Sequence, residues 1–140
     1  MPFKRYLEQG KLKKVKAGLD QVKGLLKRAK KDIATAEKIA GIDIEWSYTV
    51  AYHSMLRSAR ALLLSKGLRP DDGAQHRTVV EVSGIILGEK FKKLIQEFDH
   101  MRKTRSDFIY EIHSLSEEEA SKAIKDAKTF IEKICETISE

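Results

Sequence analysis

The sequence predicts an all-α protein: an up-and-down bundle of four long helices plus one or two short helices. Three observations carry this. Proline occurs only at Pro2 and Pro70, so two long stretches lack the residue that most strongly breaks helices. Apolar residues recur at alternating steps of three and four in four separate segments, the spacing of one helix face. Short, turn-rich connections join the segments, which favours antiparallel neighbours.

The first stripe is Val15, Leu19, Val22, Leu26, Ala29, Ile33, Ala36 and Ala40. Gly18 and Gly24 weaken it locally, and Gly41 follows its last member, where helices commonly stop. The stretch from Phe3 to Lys14 also reads as helical, interrupted at Gly10. Residues 1–18 are therefore expected to form a basic helical N-terminal extension of a single domain spanning 1–140. Asp43 is the expected N-cap of the second stripe, Tyr48, Tyr52, Met55, Ala59 and Leu62, which Gly67 closes. Arg69-Pro70-Asp71-Asp72-Gly73 reads as a loop with turn chemistry. Ala74 to Leu87 is helical in pattern, with strand as competitor because of Val79, Val80 and Val82. The third stripe is Phe91, Ile95, Phe98, Arg102, Arg105, Ile109 and Ile112. In the last helix Ser116 and Glu119 form a capping box. Its stripe is Ala120, Ala123, Ala127, Phe130 with Ile131, Ile134 and Ile138.

Charge is distributed unevenly. The chain carries 27 Lys+Arg and 21 Asp+Glu, a net +6. Residues 1–41 hold 12 basic and 4 acidic residues, a local +8, and the remaining 99 residues are slightly acidic. Such asymmetry fits a polyanion or an acidic partner, and equally a solvated lysine-rich helix face. A single cysteine, Cys135, excludes an intrachain disulfide framework and a cysteine-based zinc site. No apolar run approaches the ~20 residues that span a bilayer. No apolar segment follows the basic start. A soluble cytoplasmic protein without membrane contact is expected.

Glycine-rich phosphate loops, paired metal-spaced histidines and a nucleophile elbow are absent from the sequence. No metal and no cofactor is expected. His53, His76, His100 and His113 are scattered, and each alone reads as a polar surface or boundary residue. Arg102 and Arg105 stand out because arginine on a core-facing stripe needs a carboxylate, a snorkelling geometry or an open cleft. Asp99, three residues before Arg102, is a same-helix partner for it. The functional reading is an anion cleft that presents guanidinium forks to phosphate. The structural reading is an ion-pair network at the bundle end.

Three stretches resemble the HEPN superfamily (higher eukaryotes and prokaryotes nucleotide-binding), in its small stand-alone prokaryotic branch. One is Ala51-Tyr52-His53-Ser54-Met55-Leu56-Arg57-Ser58-Ala59-Arg60-Ala61-Leu62-Leu63-Leu64 with Lys66-Gly67, similar to the family's Tyr-rich second helix. The second is Arg105-Ser106-Asp107-Phe108-Ile109-Tyr110, where the family carries its functional arginine. The third is Glu118 to Ile134, like the family's Ala-rich last helix. Together they cover roughly residues 20–138. The resemblance implies a bundle of four or five helices and a homodimer. It also implies pairing with a small nucleotidyltransferase, as in toxin–antitoxin modules.

HEPN ribonucleases resemble one another in an Arg followed, after four to six residues, by a His. Here Tyr110 stands where that His would be, so the reading leans away from an enzyme. Tyrosine, with a reference pKa of ~10, is a poor base at neutral pH. Arg105 and Tyr110 are the catalytic candidates. Arg102, Arg105, Tyr110, Tyr52 and His53 are the candidates for binding nucleotide or RNA phosphate. The alternatives are a metal-independent ribonuclease toxin with a divergent site, and a non-catalytic module whose basic helix docks on an acidic protein.

Overall fold

A computed structural model describes residues 3–16, 18–73, 75–109 and 114–139, with only the backbone described at 108 and 109. Tyr110, Ile112 and His113 lie outside the described residues. The elements in order are α1 (Lys4–Glu8), β1 (Leu12–Lys14), α2 (Leu19–Ile39), α3 (Ile44–Ser65), β2 (Leu68–Pro70), α4 (Gln75–Leu87), α5 (Lys92–Ile109) and α6 (Glu117–Ser139). A 3-10 turn at Glu89–Phe91 leads into α5. Four long helices and shorter ones are thus present, in the expected all-α bundle.

Helix α3 is the hub, packing against α2, α4, α5 and α6. Its stripe behaves as the periodicity requires: Tyr48, Tyr52, Met55, Ala59 and Leu62 are all buried. Small residues, Ala51, Ser54, Ser58 and Ala61, are fully buried between them and let neighbouring helices approach. The buried serines of α3 do not leave orphan hydroxyls, whereas Ser83 Oγ of the segment 75–87 is buried without a partner among the described residues. Ser54 donates to the Ala51 carbonyl at 2.6 Å, Ser58 to that of Met55 at 2.9 Å, and Ser47 across to Ala36 of α2 at 2.7 Å. Asp43 caps α3, its Oδ1 accepting from the amides of Glu45 and Trp46. Ser116 and Glu119 close the capping box of α6: the Glu119 amide donates to Ser116 Oγ, and the Ser116 amide to Glu119 Oε1.

Several local expectations are corrected. Helix in the N-terminal segment is confined to Lys4–Glu8. Gly10 (φ 72°) turns the chain, and Leu12–Lys14 is a strand. That strand pairs antiparallel with Leu68–Pro70, of which Arg69 and Pro70 fall in the segment expected as loop, in the register Leu12↔Pro70 and Lys14↔Leu68. The pairing buries Leu12 and Leu68 against the core. Tyr6 is also buried, its hydroxyl donating to Glu81 Oε2 of α4 at 2.9 Å. The first stripe starts late: Val15 precedes α2, Gly18 is its N-cap rather than an interior residue, and Leu19 is 64% exposed. Segment 75–87 is helix despite its valines. Thr78, Val79, Val82 and Ser83 are buried together at helical spacing, and that burial outweighs β-propensity.

Gly67 ends α3 where the N-terminal strand crosses. Its φ of 72° is left-handed, its amide donates to Leu64 and its carbonyl accepts from Val15 at 2.9 Å. A Cβ there would lie 3.3 Å from the Val15 carbonyl, whereas at Gly10, also at φ 72°, it would meet nothing. Gly10→Ala is expected to cost about 1–2 kcal/mol from backbone strain alone. Gly67→Ala should cost more, because the strand must also shift. Urea unfolding checks the ranking, and equal losses would contradict it.

Candidate phosphate-binding site

Helical spacing places His53, Arg57 and Arg60 on one stripe of α3, at steps of four and three, beside the buried tyrosine face. All three are partly exposed. Helix α5 brings Arg102 and Arg105, and the first turn of α4 brings His76. The Tyr52 hydroxyl and His76 Nδ1 are 3.0 Å apart. A phenol is the better donor of the two, so the hydroxyl is assigned as donor to Nδ1, leaving Nε2–H as the ring's own donor. The rings of Tyr52 and His53 are 5.6 Å apart, and those of His53 and His76 6.2 Å. Tyr52 is fixed from below: Phe98 lies 5.9 Å from it and packs on Phe130 at 5.0 Å. An aromatic column thus runs from the core to the site.

The charges do not balance. Arg57 donates to both Asp32 oxygens, at 2.9 and 3.2 Å, and Arg28 also approaches Asp32 at 3.6 Å. Arg102 Nε donates to Asp99 Oδ1 at 2.9 Å, the same-helix pair expected from the spacing. Burial pushes Asp99 up, but the hydrogen bonds from Arg102 and Lys103 outweigh it and leave its pKa lowered. Arg60 and Arg105 have no carboxylate within 4.0 Å among the described residues. Burial depresses the Arg60 pKa, Tyr52 opposing that and Arg57 adding to it.

The histidines register this field. His76 is pushed down to about 4 by burial first, then by Arg60, Arg105, His53 and Arg102. His53 is lowered by burial, then by Arg105, Arg57 and Arg60. Burial raises Tyr52 to about 12 despite Arg102, Arg105 and Arg60. At neutral pH the site therefore holds, among the described residues, two neutral imidazoles, a neutral phenol and two guanidiniums in excess of carboxylate. Such a site can receive an anion through fixed donors, and negative charge entering it favours protonation of the imidazoles.

The structure brings together four of the five binding candidates, Tyr52, His53, Arg102 and Arg105; the fifth, Tyr110, lies outside the described residues. Sequence reasoning missed Arg57, Arg60 and His76. The first two were legible as a stripe running from His53. His76 carried no local signal, because it joins the site only through the packing of α4 on α3. His100 lies elsewhere, lining a cavity of about 260 Å³ with Tyr48 and Met101. Among the described residues no group of three or more His, Cys, Asp or Glu side chains could hold a metal ion. No helix there is long and apolar enough to cross a membrane.

An α-helical bundle with a cationic, histidine-bearing cluster between its central helix and two neighbours is the class of protein that fold and site define. The HEPN domain family model matches residues 22–138, and the chain belongs to that family. No curated protein matches it. Membership supports a nucleotide- or RNA-related module.

The depressed histidines make a stability prediction. Between pH 6.5 and about 4 the unfolded chain protonates position 76 while the folded protein does not. Stability is therefore expected to fall as pH drops through that window and to be fully present above it, with His53 acting in the same sense. His76→Gln should flatten the thermal midpoint across the window. An NMR titration midpoint for His76 at or above 6.5 would contradict the assignment.

Proposed function

We propose that this HEPN module binds nucleotide or RNA phosphate at the cluster of Arg102, Arg105, Tyr52 and His53, and does so without strong catalysis. Tyr110, five residues after Arg105 in the sequence, contributes to the same cluster. The carrying observation is the pair of guanidiniums, Arg60 and Arg105, unmatched by carboxylate among the described residues, beside two imidazoles held neutral. An arginine fork is suited to phosphate oxygens, and neutral imidazoles add donors without adding repulsion. The exposed lysines of α2, Lys27, Lys30 and Lys31, supply a long-range attractive field rather than specific contacts. A homodimer and a small nucleotidyltransferase partner of a toxin–antitoxin type complete the reading; family resemblance is their support.

Arg105→Ala is expected to weaken binding of labelled single-stranded RNA or ATP about tenfold or more, the scale of one charge-assisted hydrogen bond. Affinity should also fall with rising salt. Fluorescence anisotropy at two salt concentrations checks both. Unchanged binding in Arg105→Ala would remove the cluster from the reading.

One observation favours a second reading, a ribonuclease with a divergent site. Arg105 acts electrostatically on both His53 and His76, while the motif histidine is missing from the sequence. A bound phosphate would raise their pKa toward neutrality and make them more effective in proton transfer. On the leading reading, purified protein leaves RNA intact in EDTA. Cleavage that is lost in both Arg105→Ala and His76→Gln would replace it with the second.

A further inference from the structure

The face of α5 turned away from the arginines borders an open groove. Glu97 and Arg102 are five residues apart, about 140° around the helix, so Glu97 marks a different face from the phosphate cluster. The groove holds about 800 Å³ between the end of α4 and the start of α5 on one side and α6 on the other. One wall is apolar, built of Leu87 with Ile86, Phe91 and Leu94, and the last three are only partly buried. The opposite wall is a polar stripe of α6 that runs from Lys122 through Asp126, Thr129 and Lys133 to Thr137, about 22 Å of helix. At one end Lys122 Nζ joins the walls, donating to Glu97 at 2.7 Å and to Asp126 at 2.8 Å.

Charge along the groove is uneven. Lys122 has two carboxylates, and Lys133 has Glu136 at 3.6 Å. At the other end Lys90 and Lys93 have no carboxylate within 4.0 Å among the described residues. Lys90 Nζ lies 5.9 Å from the centroid of the Phe91 ring. Lys93 stands in the first turn of α5, where no acid offsets the positive end of the helix. Two lysines without counterions beside a half-covered apolar wall call for an occupant that is both acidic and apolar.

We propose that the groove between α5 and α6 docks an acidic amphipathic helix of a partner protein. Its walls are helix surfaces, whose ridges and grooves receive a third helix, and 22 Å accommodates about four turns. The apolar stripe of such a helix, at i, i+3, i+4 and i+7, covers Ile86, Phe91 and Leu94. Carboxylates flanking that stripe reach Lys90 and Lys93 and supply the negative charge that the start of α5 lacks. The Lys122 bridge closes the far end and limits how far the docked helix extends. None of these residues belongs to the phosphate cluster, so the two surfaces stand or fall separately.

The test uses the full chain and two labelled peptides of about 16 residues, long enough to span the groove. Both carry one leucine stripe at helical spacing; they differ only in having Glu or Lys at the flanking positions. Fluorescence anisotropy is expected to show the Glu peptide bound about tenfold or more tighter than the Lys peptide, the scale of one charge-assisted contact. Lys90→Glu combined with Lys93→Glu, both at exposed positions, should reverse that preference. Leu94→Ser should weaken the Glu peptide about tenfold, the scale of uncovering one apolar group. The lysines of α2 offer an acidic peptide a second landing place, so Lys27→Glu, Lys30→Glu and Lys31→Glu together form the control and should leave the preference in place. Binding of neither peptide, or of both equally, would overturn the proposal. So would a preference that survives the Lys90/Lys93 reversal or vanishes in the α2 control. Self-association of the chain that is lost in the Lys90/Lys93 reversal, read by sedimentation, would assign the groove to a second copy and overturn the separate partner.

Discussion

The burial of α3 on four sides is the constraint on which the rest of this structure depends. A helix packed against α2, α4, α5 and α6 together has almost no rotational freedom. Turning it by one residue, about 100°, would drive Arg57 or Arg60 into the space now filled by Met55, Ala59 and Leu62. The apolar face therefore fixes where the cationic stripe emerges. Small residues make this possible: Ala51, Ser54, Ser58, Ala59 and Ala61 let neighbouring backbones approach, and the serines satisfy their own hydroxyls within the helix. A bulkier core would push α4 and α5 outward and separate His76 and Arg105 from Tyr52.

Concentrating like charge on that stripe is unfavourable, and the protein offsets it unevenly. Arg57 and Arg102 each have a carboxylate in direct contact, supplied by α2 and by α5 itself. These pairs anchor helices to one another as much as they neutralise charge, since Asp32 is buried and holds Arg57 with both oxygens. Further along, the balancing stops. The histidines respond by staying neutral, which avoids adding two more positive charges to the same small volume. The result is a cluster in which Arg57 lowers the proton affinity of Arg60, and Arg105 that of both imidazoles. A folded protein keeps such local conflict chiefly where binding uses it.

Much of the fold was legible because helix periodicity and capping are local signals. Tyr48 to Leu62 and Ala120 to Ile134 are buried as their spacing demands, and Asp43, Ser116 and Gly67 act at the helix ends where their chemistry suits. What was not legible depends on contacts distant in sequence. Leu12–Lys14 becomes a strand only because Leu68–Pro70 lies beside it, and three residues carry too little alternation to announce a strand. Val79 and Val82 lost their β preference to burial against α3 and α5. In the site, Arg102 and Arg105 were visible as cations on an apolar stripe, because that placement conflicts with burial. Arg57 and Arg60 lie off the apolar stripe of their helix, where a basic residue is unremarkable, and only the continuation from His53 distinguishes them. His76 has no conflict and no periodicity of its own.

Helix α2 shows how the uneven charge of the chain is put to two uses. Its inward face carries Ala29, Asp32, Ile33 and Ala36, and Asp32 sets the position of Arg57 from there. Its outward face carries Lys27, Lys30 and Lys31, all exposed. Lysine at an exposed position is a hydrated, mobile charge whose influence is screened beyond about 10 Å at moderate salt. Arginine at a half-buried position is a fixed fork in a poorer dielectric, where direction matters and screening is weaker. The lysines of α2 thus present mobile, hydrated charge, and the arginines of α3 and α5 present fixed charge. The two are linked through one helix, because the Asp32–Arg57 contact that orients the site also holds α2, with its lysines, against α3.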